Sequence, residues 1–331
     1  MIISKTPLRI SFVGGGTDIP SFYKHNDYGA VLSSSINSYI YVTVKKHTSV
    51  FKEKIRLNYY DTELVYNKKD IKNTIIRECL NFLEIDDRIF IGTISDVPSS
   101  TGLGSSSSFA VGLLNALYKF KNITVPQELL AEQAAYVELD LLKSPIGKQD
   151  QYAAACGGIN HFTFNSDNSV SVIPIMLNRS SIEKMFNSII TFYTGFSLPA
   201  NEILKVQEKN NFKKNNIKNL IAMREQTEDL KRMLKNTKFN SREFGKIIRQ
   251  GWQLKKQLNS SVSNSLIDEY ISIGIKNGAY GGKISGAGGR GFLSFIADEK
   301  KHHSIKKAML KKGLIPFKFN LDSTGATVFE V

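Results

Sequence analysis

Val97-Pro98-Ser99-Ser100-Thr101-Gly102-Leu103-Gly104-Ser105-Ser106-Ser107-Ser108-Phe109-Ala110 is the stretch on which the reading of this chain turns. It joins a strand-like segment, Arg88 to Ile94, to a helix-like segment beginning near Phe109, so two glycines and a serine run sit at a strand-to-helix turn. Anions bind readily at such a turn. Free N–H groups and the positive end of the helix dipole point outward, glycine permits close backbone approach, and hydroxyls donate to phosphate or ligate a metal. A Gly/Ser tether would instead be solvated and indifferent to order. Here apolar periodicity resumes at once with Phe109, Leu113, Ala116 and Leu117, which marks an amphipathic helix.

Two further glycine clusters flank this loop. Upstream, the extended run Thr6-Pro7-Leu8-Arg9-Ile10-Ser11-Phe12-Val13 delivers the chain into Gly14-Gly15-Gly16-Thr17-Asp18, a loop able to lie against a ligand while presenting one hydroxyl and one carboxylate. Downstream, Gly281-Gly282-Lys283-Ile284-Ser285-Gly286-Ala287-Gly288-Gly289-Arg290-Gly291 is another backbone cradle, followed by the strand Phe292 to Ile296. Its Gly282-Lys283 pair is a near miss for a Walker loop, because Ile284 stands where a serine or threonine is required.

Between the loops, Gly29 to Lys46 reads as strands, and Thr124-Val125-Pro126-Gln127 as a capping box opening a helix to about Leu142. Leu130, Ala134, Val137 and Leu141 mark that helix's buried stripe. Glu138 lies close to it, as a solvated residue at the margin or as a carboxylate facing a metal or a basic partner. Ser144 to Tyr152 breaks the helix, sets Lys148 two residues before Asp150, and starts a second helix near Asp150, which would serve equally as a helix cap. Lysine-rich helices follow at roughly 200 to 234, 242 to 258 and 266 to 276. A last helix (300 to 310) and two strands (316 to 321 and 326 to 331) complete a small βαβ-like unit.

The 331 residues suffice for two domains, divided near residue 180 into 1–180 and 181–331 and packed with a cleft between them. Lys and Arg outnumber Asp and Glu 44 to 30, a surplus that suits an anionic ligand without choosing among nucleotide, sugar phosphate and nucleic acid. Cys79 and Cys156 are too few for a disulfide framework, and the five histidines lack the spacing of a zinc site or an acylation triad. No apolar run approaches a membrane span and the N-terminus does not read as a signal peptide, so a cytoplasmic protein is expected, with no membrane partner.

Three glycine-bearing loops in this order resemble the three signature motifs of the GHMP small-molecule kinases, and Pro98-x-x-x-Gly102-Leu103-Gly104-Ser105-Ser106 is similar to that superfamily's phosphate loop. Within the superfamily, Thr6 to Asp18 together with Ile146-Gly147-Lys148-Gln149-Asp150-Gln151-Tyr152-Ala153 looks most like the D-glycero-D-manno-heptose 7-phosphate kinases. The resemblance implies an α+β, two-domain fold, with a ribosomal S5 domain 2-like N-terminal domain and a ferredoxin-like C-terminal domain. ATP and a sugar phosphate would meet in the cleft with Mg²⁺, a homodimer being allowed and nucleic acid not expected.

Carried over residue by residue, the resemblance assigns the nucleotide to Pro98, Ser100, Thr101, Gly102, Leu103, Gly104, Ser105, Ser106 and Ser107. Mg²⁺ goes to Ser106 and Glu138, with Ser107 as the alternative serine. Asp150 would contact the acceptor hydroxyl, as base or as positioning group, with Arg9 and Lys148 balancing charge. Acceptor binding falls to Gly15, Gly16, Thr17 and Asp18 and to Lys283, Gly286, Ala287, Gly288 and Arg290. Gly15 and Gly16 stand where the galactokinase-like branch has Glu and His, which argues against galactose. Other readings are a kinase for L-fucose or a hexosamine, an ATP-dependent decarboxylase of the mevalonate branch, and a nucleic-acid-binding protein on a similar fold. Against the last, the sequence shows no aromatic-basic RNA motif.

Overall fold

The computed structural model describes residues 1–195, 214–235, 239–289 and 291–331. The chain opens with β1 (Ile2–Val13), in which Leu8, Ile10 and Phe12 enter the core while Arg9 and Ser11 take the opposite face, as strand alternation requires. A short helix, α1 (Pro20–Tyr23), leads to β2 (Tyr28–Lys46). Where the sequence suggests several strands, one strand of 19 residues runs through. Its first part pairs with β6 (Ile159–Asn165), whose other neighbour is β7 (Val170–Pro174), and its last part pairs with β5 (Ile89–Ser95). Beyond β5 lie β3 (Ile55–Asn58), parallel to it, and β4 (Thr62–Val65).

α2 (Thr74–Phe82) packs on α3 (Ser105–Phe120), and α3 covers this sheet. α3 starts at Ser105, four residues earlier than the sequence indicates, with Gly104 in the left-handed conformation at its N-cap (φ 79°). The serine run is therefore the helix's first turn rather than a loop. α4 (Gln127–Tyr136) follows, with Pro126 at its N-cap and no side-chain cap bond, so the expected capping box does not form. Residues Val137–Leu141 continue it as one turn of π-helix, a local widening often found at functional positions. α5 (Gln149–Cys156) carries Asp150 in its first turn, and its N-cap residue Lys148 makes no side-chain cap bond.

α6 (Arg179–Asn187) leads into the second sheet, four antiparallel strands in the order β11 (Ile315–Phe317), β8 (Ile189–Tyr193), β10 (Phe292–Ile296) and β9 (Gly281–Ile284). Helices α7 (Lys214–Lys235), α8 (Ser241–Leu258) and α9 (Ser265–Lys276) stand between β8 and β9, and α10 (Glu299–Leu310) between β10 and β11, which is the split βαβ pattern of ferredoxin-like folds. The beginning of the helix expected at 200 to 234 lies outside the described residues.

The last strand, β12 (Thr327–Glu330), corrects one expectation: it leaves the small sheet and pairs antiparallel with the outer edge of β1. Hydrogen bonding along β1 outweighs proximity in sequence to β11. α8 packs between the two sheets, with Phe244 edge-on to Phe12 at 5.5 Å between ring centroids. Cys79 and Cys156 are unpaired thiols. Among the described residues no helix is long and apolar enough to cross a membrane.

Candidate active site

The three glycine loops meet. The backbone N–H of Arg9, on β1, donates to the Leu103 carbonyl at 3.0 Å, which fastens the central loop to the first strand. On its other side the central loop touches the third loop backbone to backbone. A Cβ added to Gly102 (φ 82°) would fall 2.5 Å from the Ser285 carbonyl oxygen, and one on Gly286 would fall 2.6 Å from Gly102 Cα. Only glycine allows that approach.

Around this junction opens a cavity of about 870 Å³. Of the residues singled out from the sequence, Ser100, Gly102, Gly104, Ser105, Ser106 and Ser107 line it from the central loop. Gly15, Gly16 and Asp18 line it from the first loop, Gly286 and Ala287 from the third, and Arg9, Glu138 and Asp150 complete the set. Others do not face it. Pro98, Thr101 and Leu103 shape the central loop; the Thr101 hydroxyl donates to the Pro98 carbonyl at 3.0 Å. Thr17 staples the first loop to β2, its one hydroxyl proton shared between the Gly14 and Ala30 carbonyls, each 2.8 Å away, while its oxygen accepts from the Ala30 N–H at 3.0 Å. Gly288 packs on Val262. Lys148 donates to the Asn168 carbonyl at 2.9 Å, and Lys283 to the Ser11 and Phe12 carbonyls at 2.8 and 3.0 Å. Arg290 lies outside the described residues.

Arg9 and Asp150 form a fork: Nε donates to Oδ1 and Nη2 to Oδ2, both at 2.6 Å, while Nη1 donates to the Gly102 carbonyl at 2.7 Å. The carboxylate is thus no helix cap. It is held against the start of α3, where a Cβ on Gly104 would lie 3.3 Å from Oδ2. Asp18 is almost fully buried and accepts from the Gly16 N–H (2.8 Å, Oδ1) and the Gln149 N–H (3.3 Å, Oδ2), so it ties the first loop to α5. Burial raises its pKa, and the nearby Asp150 carboxylate adds to that.

Glu138 projects from the π-turn, 2% exposed. Ser106 donates to its Oε1 at 2.7 Å and Gln151 to its Oε2 at 2.6 Å. Burial raises its pKa, while hydrogen bonds from Ser106, Ser107 and Gln151 offset part of the rise. Among the described residues no lysine or arginine pairs with it. A buried carboxylate with neutral partners only, beside two serines of the helix's first turn, suits a hard divalent cation. The described residues hold no cluster of three or more His, Cys, Asp or Glu able to cage a metal.

Two parts of the cavity wall carry no signature in the sequence reading. Ile40, Tyr59, Tyr60, Ile75 and Phe109 give it an apolar and aromatic portion. Lys255, on α8, brings a buried ammonium to the cavity, donating to the Gly286 carbonyl at 2.5 Å. Ile248 and Trp252 precede it by seven and three residues on the buried stripe of that helix, and a lysine in such register is the signal that could have found it.

The family description for the GHMP kinases N terminal domain matches residues 71–158, and that for the GHMP kinases C terminal domain matches residues 229–314. A D-glycero-alpha-D-manno-heptose 7-phosphate kinase of Campylobacter jejuni is 32% identical over 335 residues, covering 94% of each chain. The chain belongs to the GHMP kinase family. As a GHMP kinase it is an enzyme of phosphoryl transfer. A galactokinase of Pyrococcus furiosus is 24% identical over 96% of this chain and 94% of its own. In fold, the crystal structure of a D-glycero-D-manno-heptose 1-phosphate kinase from Bacteroides thetaiotaomicron superposes with a TM-score of 0.80 at 23% identity, covering 100% of this chain and 99% of that one.

Proposed function

We propose that this GHMP kinase uses ATP and Mg²⁺ to phosphorylate the anomeric hydroxyl of D-glycero-D-manno-heptose 7-phosphate, giving the 1,7-bisphosphate for nucleotide-activated heptose synthesis. Residues 1–180, with β12 added to their sheet, would form the donor domain, and the rest of 181–331 the domain packed against it. The observation that carries the reading is the Arg9–Asp150 fork, whose carboxylate stands where α3 begins. An acceptor hydroxyl on Asp150 would then meet a phosphoryl group on the helix N-terminus. The 32% identical heptose 7-phosphate kinase supports the choice of sugar.

Phosphoryl transfer asks the protein chiefly to align donor and acceptor and to offset charge. The N–H groups of Gly104 to Ser107 and the positive end of α3 hold the donor's β- and γ-phosphates. The apolar wall of Ile40, Tyr59 and Phe109 accepts its base. Ser106, with Ser107 as the alternative serine, and Glu138 would hold Mg²⁺, which would supply charge neutralisation. Asp150 orients the acceptor hydroxyl and receives its proton as the oxygen bonds to the γ-phosphorus. The bond from that phosphorus to the bridging oxygen breaks, and ADP leaves with the electron pair. Arg9 keeps both Asp150 oxygens in one plane.

The reading is tested by measuring ADP release over a panel of sugars and sugar phosphates, with the mass of each product. Heptose 7-phosphate should be the fastest acceptor and gain one phosphate; faster turnover of L-fucose or a hexosamine would move the assignment to that sugar.

A further inference from the structure

Lys255 is a cation for which the phosphoryl-transfer chemistry above has no use. Among the described residues its ammonium has one hydrogen-bond partner, the Gly286 carbonyl, although an ammonium carries three donors. Asp18 is close enough to act on it through space, but the two form no ion pair, and the Asp18 oxygens accept instead from backbone N–H groups. A buried charge left in this state is costly unless a ligand completes its shell.

Two other side chains turn toward the same place. Ser11 lies two residues after Arg9 and so on the same face of β1, and its buried hydroxyl has no partner. Gln149, in the first turn of α5, brings its Nε2 donor to the same place. Both converge with Lys255 on the bare Cα of Gly15: a Cβ built there would lie 3.4 Å from Ser11 Oγ, 3.5 Å from Gln149 Nε2 and 3.9 Å from Lys255 Nζ. Gly15 is not among the glycines with positive φ, so its backbone does not require the missing side chain. The absence keeps a cradle open.

We infer that Ser11, Gly15, Gln149 and Lys255 form a subsite for a phosphomonoester carried by the acceptor, distinct from the donor-phosphate loop. All three side chains can donate, and an ammonium with no paired carboxylate is offset by a dianion but not by a neutral hydroxyl. The lysines expected from the sequence to do this, Lys148 and Lys283, donate to main-chain carbonyls instead. The inference rests on the kinase reading and adds to it the element that separates a sugar phosphate from a free sugar.

The test compares kcat/KM for D-glycero-D-manno-heptose 7-phosphate with that for the unphosphorylated heptose, as a ratio. Lys255→Met should lower the ratio about 100-fold, the usual scale for one partner of a buried charged pair. Lys255→Arg should recover part of it. Gly15→Ala meets its neighbours at ordinary van der Waals distances and should fold, yet its methyl fills the cradle, so the ratio should fall about 10-fold through KM. An unchanged ratio, or an equal fall for both acceptors as a merely structural lysine gives, overturns the inference. Should the native enzyme turn over neither sugar, the heptose assignment fails by itself. Calorimetric titration of methyl phosphate, with a nonhydrolysable ATP analogue and Mg²⁺ filling the donor loop, then decides the subsite. Binding that Lys255→Met and Gly15→Ala both weaken supports it; no binding, or equal binding, overturns it.

Discussion

Arg9 and Asp150, 141 positions apart in sequence, meet in two parallel hydrogen bonds of 2.6 Å at the edge of the phosphate loop. A planar fork on a carboxylate fixes its orientation as well as its charge, which a lysine in place of Arg9 would not do. Asp150→Asn keeps the shape and loses the charge and the proton acceptor. Turnover should fall about 10²-fold or more, the usual contribution of general base catalysis, with the KM for ATP changed only a few-fold. Steady-state kinetics decide this, and near-native turnover would remove Asp150 from the chemistry.

Glu138→Gln removes the buried charge; its one oxygen can keep the bond from Gln151 while its NH2 donates to the Ser106 hydroxyl, which reverses that bond. The Mg²⁺ concentration for half-maximal rate should rise about 10-fold or more, on the scale seen when the support of a metal site is altered. The sign of the stability effect is opposite. Burial holds the folded-state pKa above the ordinary 4.5, so this carboxylate's contribution to stability is fully present below that value and lost as pH rises through the folded pKa. At neutral pH the glutamine variant should therefore melt at or above the native temperature, and Mg²⁺ should no longer raise its melting point. A lower melting temperature would show that the carboxylate supports the fold by itself.

Gly102→Ala tests the contact between the central and third loops. The residue is at φ 82°, and its new methyl would strike the Ser285 carbonyl. Strain of this kind costs about 1–3 kcal/mol. Chemical denaturation should show a loss of that order, and the KM for ATP should rise because the loops must part. Native stability in this variant would mean that the two loops are not in contact in solution.

How much of this could be read in advance depended on how local the physics is. The glycine loops were legible because backbone approach at a strand-to-helix turn leaves a mark within a dozen residues. Glu138 was legible as a misplaced charge near an apolar stripe, and Lys255 should have been by the same rule. It sits in a helix rich in solvated lysines, and only its register with Ile248 and Trp252 sets it apart. The pairing of β12 with β1 joins residues over 320 positions apart, for which nothing in either segment speaks. Asp150 reads from its own segment equally as helix cap and as reactive group; the resemblance sets Arg9 near it, and the fork across 141 positions shows that it is no cap.

The state of Lys255 yields a prediction in pH. Burial above all, together with Arg9, lowers its pKa to about 8 against the pull of Asp18 and Asp150; Lys283, on β9, has its own pKa pushed well down by burial and by Lys255 and Arg9. The ammonium is charged at pH 7 and loses its proton as pH rises through 8. A sugar phosphate is already a dianion there, its second ionisation lying near 6, so the acceptor contributes no titration of its own in this window. Because kcat/KM reports ionisations of the free enzyme, its value for the phosphorylated acceptor should fall about tenfold per pH unit above 8. Lys255→Arg should be flat to pH 10, since a guanidinium stays charged. A profile that falls equally in both enzymes would assign the ionisation to another group, and one that stays level in both would mean that the Lys255 charge does not meet the acceptor.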